Sequence, residues 1–237
     1  QRSLLAYNGP GYLPSEKSMA QFAALFDMDK TLLDVSSPLL FAQYLYRIGR
    51  LRRRDLIQAA WWGTLGRLGL LDLHSLAPRL LAERVGDDEQ ELRRMCDRWF
   101  AKDVVPHITK RGQQQVAAHR QQGHTVAIVS GSTQYVVRPL AAYLGLPGQY
   151  VCTHLESENG RLTGELTPPV CYGTGKIVWA ERFAEAHGVD LSASWFYTDS
   201  ISDQALLERV GHPIAVNPDP RLRHLARRRG WPIEMFY

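Results

Sequence analysis

Cysteine is scarce in this chain. Only three stand among 237 residues, Cys96, Cys152 and Cys171, far apart and odd in number. That excludes a disulfide framework and a Cys-x-x-Cys metal site, and a reducing cytoplasm is the simplest compartment for such a protein. A membrane span is missing as well. The longest candidate run, Ala59 to Leu73, is broken by Arg67 and holds three glycines, short of the roughly 20 apolar residues a span needs. The eight histidines show no zinc-ligand spacing, so none is assigned to metal. There is no internal repeat and no low-complexity stretch. Residues 1–18 start without Met, read as loop (Asn8-Gly9-Pro10-Gly11, then Pro14) and lack the apolar region of a signal peptide. Residues 1–21 are therefore read as an N-terminal extension, with Met19 as an alternative first residue.

Charge is present but weakly biased. The net charge is +4 and the sequence pI about 9.0, which suits an anionic substrate without requiring one. The basic residues cluster at Arg50 to Arg54 and Arg221 to Arg229. Neither cluster carries the interleaved aromatics that would stack on bases, so each reads as a solvated helix face and no nucleic acid is expected. With 45% apolar and 22% charged residues, the chain fits one large soluble domain or a domain with an insertion. The oligomeric state is left open.

The chain is organised around Phe26-Asp27-Met28-Asp29-Lys30-Thr31-Leu32-Leu33-Asp34. The apolar run from Phe22 to Phe26 is too short for a helix and predicts a buried strand. Asp27 and Asp29 then lie at its carboxyl end, the edge where open α/β sheets bind ligands. If the backbone stays extended, both side chains point to one side. Carboxylates this close repel each other unless a cation lies between them or one holds a proton. An Asp-rich turn that merely ends the strand is the plainer reading of these residues alone.

After this strand the pattern is helical as far as Asp103. Ser37-Pro38 predicts a helix start with Ser as N-cap and Pro at the first position. A second helix is expected over 52–68, a third from Asp72 to Val85, and a fourth through Leu92, Met95, Cys96 and Trp99. Pro106 opens another helix, ending near Gly123. From there strands and helices alternate: strands at Thr125–Val129, Tyr150–Leu155, Leu162–Leu166, Trp195–Thr198 and Pro213–Val216, with an Asn159-Gly160 hairpin turn. This predicts an α/β fold, a Rossmann-like mainly parallel sheet with helices on both faces, interrupted by an inserted all-helical unit.

Three further features fall at strand ends or helix starts. Ser130-Gly131-Ser132 follows the Thr125–Val129 strand, where a hydroxyl and free N–H groups suit an anion; a simple N-cap is the alternative. The Gly-x-Ser-x-Gly elbow of serine hydrolases is absent. Lys176, in Gly173-Thr174-Gly175-Lys176, is not a Walker A lysine, since position 170 is Val and position 177 Ile. It is a cation at a helix N-terminus, where the dipole disfavours it, so an anionic partner is expected, with a solvated lysine as the alternative. Asp199 and Asp203 follow the Trp195–Thr198 strand. Asp203 also reads as an N-cap, whereas Asp199 is a natural ligand for a hard cation.

In this order the motifs Asp-x-Asp-x-Thr, Ser, Lys and Asp-x-x-x-Asp resemble the haloacid dehalogenase superfamily, over about residues 22–217. The insertion after the first motif resembles the cap of the phosphoserine-phosphatase-like branch. The resemblance implies a catalytic core at 22–35 and 104–237 with a specificity cap at 36–103. It implies an Mg²⁺-dependent phosphomonoesterase acting on a small phosphorylated substrate. Asp27 would be the nucleophile forming an aspartyl phosphate and Asp29 the acid/base. Asp27, the Asp29 carbonyl and Asp199 would hold the metal. Ser130, Gly131 and Lys176 would bind the phosphoryl group. Asp203 would position a metal-bound water or Lys176, and Thr31 would brace the first loop. Relatives that hydrolyse phosphoserine carry a Glu where this chain has Ser36, with Asp34 nearby. Asp34 is thus a candidate for a cationic substrate group, which brings in histidinol phosphate or another amine-bearing phosphate. A lipid phosphate is the reading suggested by Trp61 and Trp62, which otherwise are cap core. A phosphotransferase or mutase would use the same aspartyl phosphate, and a non-catalytic binding module would have no need of the acids.

Overall fold

All four residues of β1 (Ala23–Phe26) are fully buried. A strand apolar on both faces belongs in the middle of a covered sheet, and the computed structural model of the protein places it there. The structure describes residues 21–58, 61 and 85–237. β1 pairs in parallel with β2 (Thr125–Thr133) on one side and with β6 (Trp195–Thr198) on the other. Adding β3 (Tyr150–Thr153), β7 (His212–Val216) and β8 (Ile233–Glu234), the six-stranded sheet runs β3-β2-β1-β6-β7-β8 with every pairing parallel. Alternation divides the core. Ala24, Phe26, Val126 and Ile128 face one layer with Trp99, Leu140 and Val216. Ala23, Leu25, Ala127 and Val129 face the other with Ala180, Phe183, Phe196 and Leu206. The chain leaves β1 toward β2 and returns on its opposite side at β6, a reversal that opens a crevice outside the carboxyl ends of β1 and β6.

Helices cover both faces: α3 (Lys110–Gln121), α4 (Gln134–Tyr143), α5 (Thr174–His187), α6 (Gln204–Arg209) and α7 (Pro220–Arg229). The insertion after β1 contributes α1 (Ser37–Arg47), helical residues 53–58 and α2 (Glu89–Trp99). α2 is capped by the Asp88 side chain, which accepts from Glu91 N–H at 2.8 Å. The remainder of the expected second helix, the third helix, Trp62 and residues 1–20 lie outside the described residues. Trp61 is exposed rather than part of a cap core. No described helix is long and apolar enough to cross a membrane.

Two local expectations shift. Pro106 sits in a short turn at residues 105–107, and the helix starts later, at Lys110. Thr109 caps it, accepting from Gly112 N–H at 3.2 Å. The strand expected over Tyr150–Leu155 divides into β3 and β4 (Leu155–Glu158), the latter forming a hairpin with β5 (Arg161–Leu166). Asn159 and Gly160, at φ 51° and 76°, supply the two left-handed residues of its turn. This hairpin grips the insertion. Gly86 N–H donates to Leu162 O at 2.8 Å, Leu162 N–H to Asp87 O at 2.9 Å and Glu89 N–H to Gly160 O at 2.9 Å. Beneath these bonds Cys96, Tyr135, Leu155 and Leu162 form a small apolar core of their own.

Candidate active site

The first loop begins where β1 ends. Asp27 is still tied to the sheet, its N–H donating to Tyr197 O at 2.8 Å. Lys30, four residues beyond the end of the strand, then takes φ 59°, a left-handed conformation that folds the chain back. Thr109 holds the turn through Leu32 O, to which its N–H donates at 2.8 Å and its hydroxyl at 3.2 Å. Asn217, beyond β7, donates to Lys30 O at 3.4 Å. Thr31 does not brace the loop with its hydroxyl: Oγ1 is buried without a hydrogen-bond partner among the described residues.

Lys176 comes from the opposite side of the crevice. It lies in the first turn of α5, preceded by Gly173 at φ 52°, ψ −125°. A Cβ on Gly175 would stand 1.9 Å from Val170 O, so only glycine lets the loop and the helix start come together. The Lys176 Nζ donates to Asp27 Oδ1 at 2.6 Å and Asp203 Oδ2 at 2.7 Å. Thr198, the last residue of β6, donates its hydroxyl to Asp203 Oδ2 at 2.6 Å. Asp27, Lys176 and Asp203 are 7%, 3% and 1% exposed, so this is a dehydrated ion triad rather than a surface pair. Asp199 is half-buried, and its main chain is fixed by Asp219 N–H donating to its carbonyl at 2.9 Å. Asp219 in turn accepts Ile201 N–H at 2.8 Å and caps α7.

Asp29 faces the insertion. Its carboxylate accepts from Ser37 N–H at 2.6 Å and Ser37 Oγ at 3.0 Å. Ser37 is thus not the expected N-cap; Ser36 holds that place and Ser37 is the first helical residue. Ser130 reaches this corner through neighbours. β2 runs on to Thr133 with an irregular register between Ser130 and Thr133, Ser130 Oγ accepts Ser132 N–H at 3.1 Å, and Ser132 Oγ lies 3.1 Å from Ser37 Oγ. Gly131 packs under Cys171 O and the Tyr172 ring. Asp34 is not brought to the acids. Its carboxylate lies 2.8 Å from His107 Nδ1 and its N–H donates to His107 O at 3.0 Å.

The electrostatics of the corner are lopsided: four carboxylates, Asp27, Asp29, Asp199 and Asp203, stand against Lys176, with Lys30 acting on Asp29 as well. Burial raises the Asp27 carboxyl to about 7, against the pull of the Lys176 ammonium. Burial raises Asp29 and Asp199 too, and Asp27 adds to the rise of Asp199 by repulsion. Lys176 is desolvated, yet the charges of Asp203 and Asp27 outweigh that and raise it, so it stays an ammonium. Hard oxygen donors with excess negative charge fit a divalent cation. Among the described residues no three His, Cys, Asp or Glu side chains converge as a ready metal cluster. Asp27 and Asp199, whose carboxylates repel each other, are the candidate oxygen ligands.

Sequence reasoning missed Ser37, Thr198, Asp219 and Asn217 as parts of this site. Ser37 and Asp219 do carry a visible signal, each standing directly before a proline at a helix start, but that signal reads as capping. Thr198 and Asn217 look like a strand residue and a loop residue.

Comparison with known proteins follows the same residues. The family model for haloacid dehalogenase-like hydrolases matches residues 24–208. A probable phosphatase of Mycobacterium tuberculosis is 33% identical over 92% of this chain and 76% of its own length. A histidinol-phosphatase of Neisseria meningitidis is 28% identical over 90% and 98%. Among solved structures, a Bordetella pertussis protein of unknown function superposes with TM-score 0.83 at 28% identity, covering 92% of this chain and all of that one. A phospho-aspartyl intermediate analogue of a phosphoserine phosphatase superposes with TM-score 0.68 at 19% identity over 92% and 95%, a likeness of fold.

Proposed function

The chain belongs to the haloacid dehalogenase-like hydrolase family and is a phosphoric monoester hydrolase, and on that premise we propose that it is an Mg²⁺-dependent phosphatase of a small phosphorylated metabolite, working through an aspartyl phosphate on Asp27. The observation that carries this reading is the buried triad in which one ammonium bridges Asp27 and Asp203 at 2.6 and 2.7 Å. It aims the Asp27 carboxyl and opposes the burial that raises it, as a nucleophile requires.

In this reading an Asp27 oxygen attacks phosphorus while the bond to the departing oxygen breaks, and Asp29 supplies that oxygen with a proton. Asp29 then takes a proton from the water that cleaves the acyl phosphate. Lys176 and the Ser130–Gly131 segment of β2 offset the charge of the equatorial oxygens. Asp203 positions Lys176. Asp27, Asp199 and the Asp29 carbonyl would hold Mg²⁺, which when bound neutralises the phosphoryl oxygens and orients them for in-line attack. The catalytic core is assigned to 22–35 and 104–237 and the specificity cap to 36–103. An amine- or imidazole-bearing phosphate such as histidinol phosphate is one candidate substrate. Ser36 stands where phosphoserine-cleaving relatives carry a carboxylate, and the relatives include both a histidinol-phosphatase at 28% identity and a phosphoserine phosphatase of Mycobacterium tuberculosis at 31%. Three buried cysteines outside any disulfide fit a cytoplasmic protein.

The test is phosphate release from a panel of phosphorylated metabolites, with Mg²⁺ against EDTA. Release that is fastest from histidinol phosphate and abolished by EDTA supports the reading. Transfer to an organic acceptor without free phosphate, or EDTA-resistant release, contradicts it.

A further inference from the structure

Ser37 stands where two loops of the site and the first helix of the insertion meet. Its N–H and its hydroxyl reach the two oxygens of one carboxylate, Asp29 Oδ1 at 2.6 Å and Oδ2 at 3.0 Å. The same hydroxyl lies 3.1 Å from Ser132 Oγ, and Ser132 N–H donates to Ser130 Oγ at 3.1 Å. Ser37 is 1% exposed, so water does not compete for these bonds. The hydroxyl does nothing for its own helix. It turns eight residues back to Asp29 and across 95 residues to Ser132. A single hydrogen bond leaves a carboxylate free to rotate about χ2, whereas bonds to both oxygens fix its plane.

We propose that Ser37 is a positioning residue, which sets the plane of the Asp29 carboxyl for proton delivery while Ser132 fixes the rotor of the Ser37 hydroxyl. The proposal rests on the reading of Asp29 as the acid/base. It makes a claim that a purely structural serine would not. In the first half-reaction the Asp27–phosphorus bond forms, the ester P–O bond breaks, and its electron pair goes to the departing oxygen together with the Asp29 proton. A poor leaving group needs that proton in the transition state, and a good one leaves as its anion. Loss of the grip therefore slows poor leaving groups selectively, whereas a general loss of folding or binding slows all alike.

The experiment measures kcat/KM, which reports the steps up to aspartyl-phosphate formation, on phenyl phosphate and p-nitrophenyl phosphate. Ser37→Ala should lose about 10-fold or more on phenyl phosphate and no more than about 3-fold on p-nitrophenyl phosphate, a fraction of the 10²–10⁴ that general acid catalysis supplies. Ser37→Thr, which keeps the hydroxyl, should restore phenyl phosphate to within about 3-fold of wild type. Ser132→Ala, which leaves the insertion's helix start intact, should show the same selectivity in weaker form. Equal losses on both esters, or no loss on either, would overturn the proposal. Asp29→Asn separates the two levels. If it is selective against phenyl phosphate and Ser37→Ala is not, the positioning role fails alone. If Asp29→Asn is itself unselective, the acid/base reading fails and the proposal with it.

Discussion

At the scale of the residue, the site turns on Lys176. Two carboxylates share its ammonium in a place water does not reach, so deleting the cation strands charge rather than merely removing a bond. Losing one partner of a buried pair costs about 3–5 kcal/mol, or roughly 6–20 °C in a chain this long. Lys176→Met should therefore lower the melting temperature in metal-free buffer by that amount and reduce kcat by at least about 100-fold. An unchanged melting curve would mean the triad is not formed. A second residue, on the other side of Phe26, responds to pH. His119 is buried with Nε2 2.9 Å from Tyr197 Oη and Nδ1 2.8 Å from His124 Nδ1. Burial, then the nearby His124, lowers it to about 4. The unfolded chain binds this proton near pH 6.5 and the folded chain does not. Stability should thus fall as pH drops from about 6.5 to about 4, and be indifferent to this group above that window. Thermal melts of wild type should steepen over that range relative to His119→Gln; parallel curves would exclude the effect.

At the scale of the element, what positions Lys176 is a helix start that tolerates no side chain. Gly175→Ala puts a Cβ against Val170 O, 1.9 Å away before relaxation, so the α5 start must move and carry Lys176 with it. We expect at least about 2 kcal/mol of destabilisation, a steric clash in a packed site, and loss of activity that added Mg²⁺ does not recover. A fully active variant would show that the loop has room. The elements also show how far the sequence could be read. Strand and helix periodicity, the Asn159-Gly160 turn and Asp199 at the end of β6 were legible because each is a local signal. The splitting of the strand at His154, the start of α3 at Lys110 rather than Pro106, and the pairing of residues 86–89 with the hairpin were not. Each depends on a partner distant in the chain: Gly86 on Leu162, Thr109 on Leu32. Thr31 and Ser37 departed from their expected roles for the same reason. The residue that looked like a brace has a hydroxyl with no partner among the described residues, and the residue that looked like a cap holds the Asp29 carboxylate.

At the scale of the whole molecule, a six-stranded parallel sheet brings residues from 27 to 203 to one crevice. The fold thereby gathers four carboxylates against two lysines, Lys176 and Lys30. A cation that binds only the folded state stabilises it, by about 2.7 kcal/mol at 100 times its Kd. Mg²⁺ should accordingly raise the melting temperature of wild type, and Asp199→Asn should lose most of that rise. An equal rise in both would move the metal elsewhere. The central claim is narrower: the phosphoryl group passes through Asp27. Its most direct test is acid quench of the enzyme during turnover of a phosphomonoester with Mg²⁺, followed by mass spectrometry of the peptide spanning the first motif. The account predicts one acid-stable, hydroxylamine-sensitive phosphoryl group on Asp27, absent from Asp27→Asn. A phosphoryl group on another residue, or phosphate release by Asp27→Asn at the wild-type rate, would contradict it.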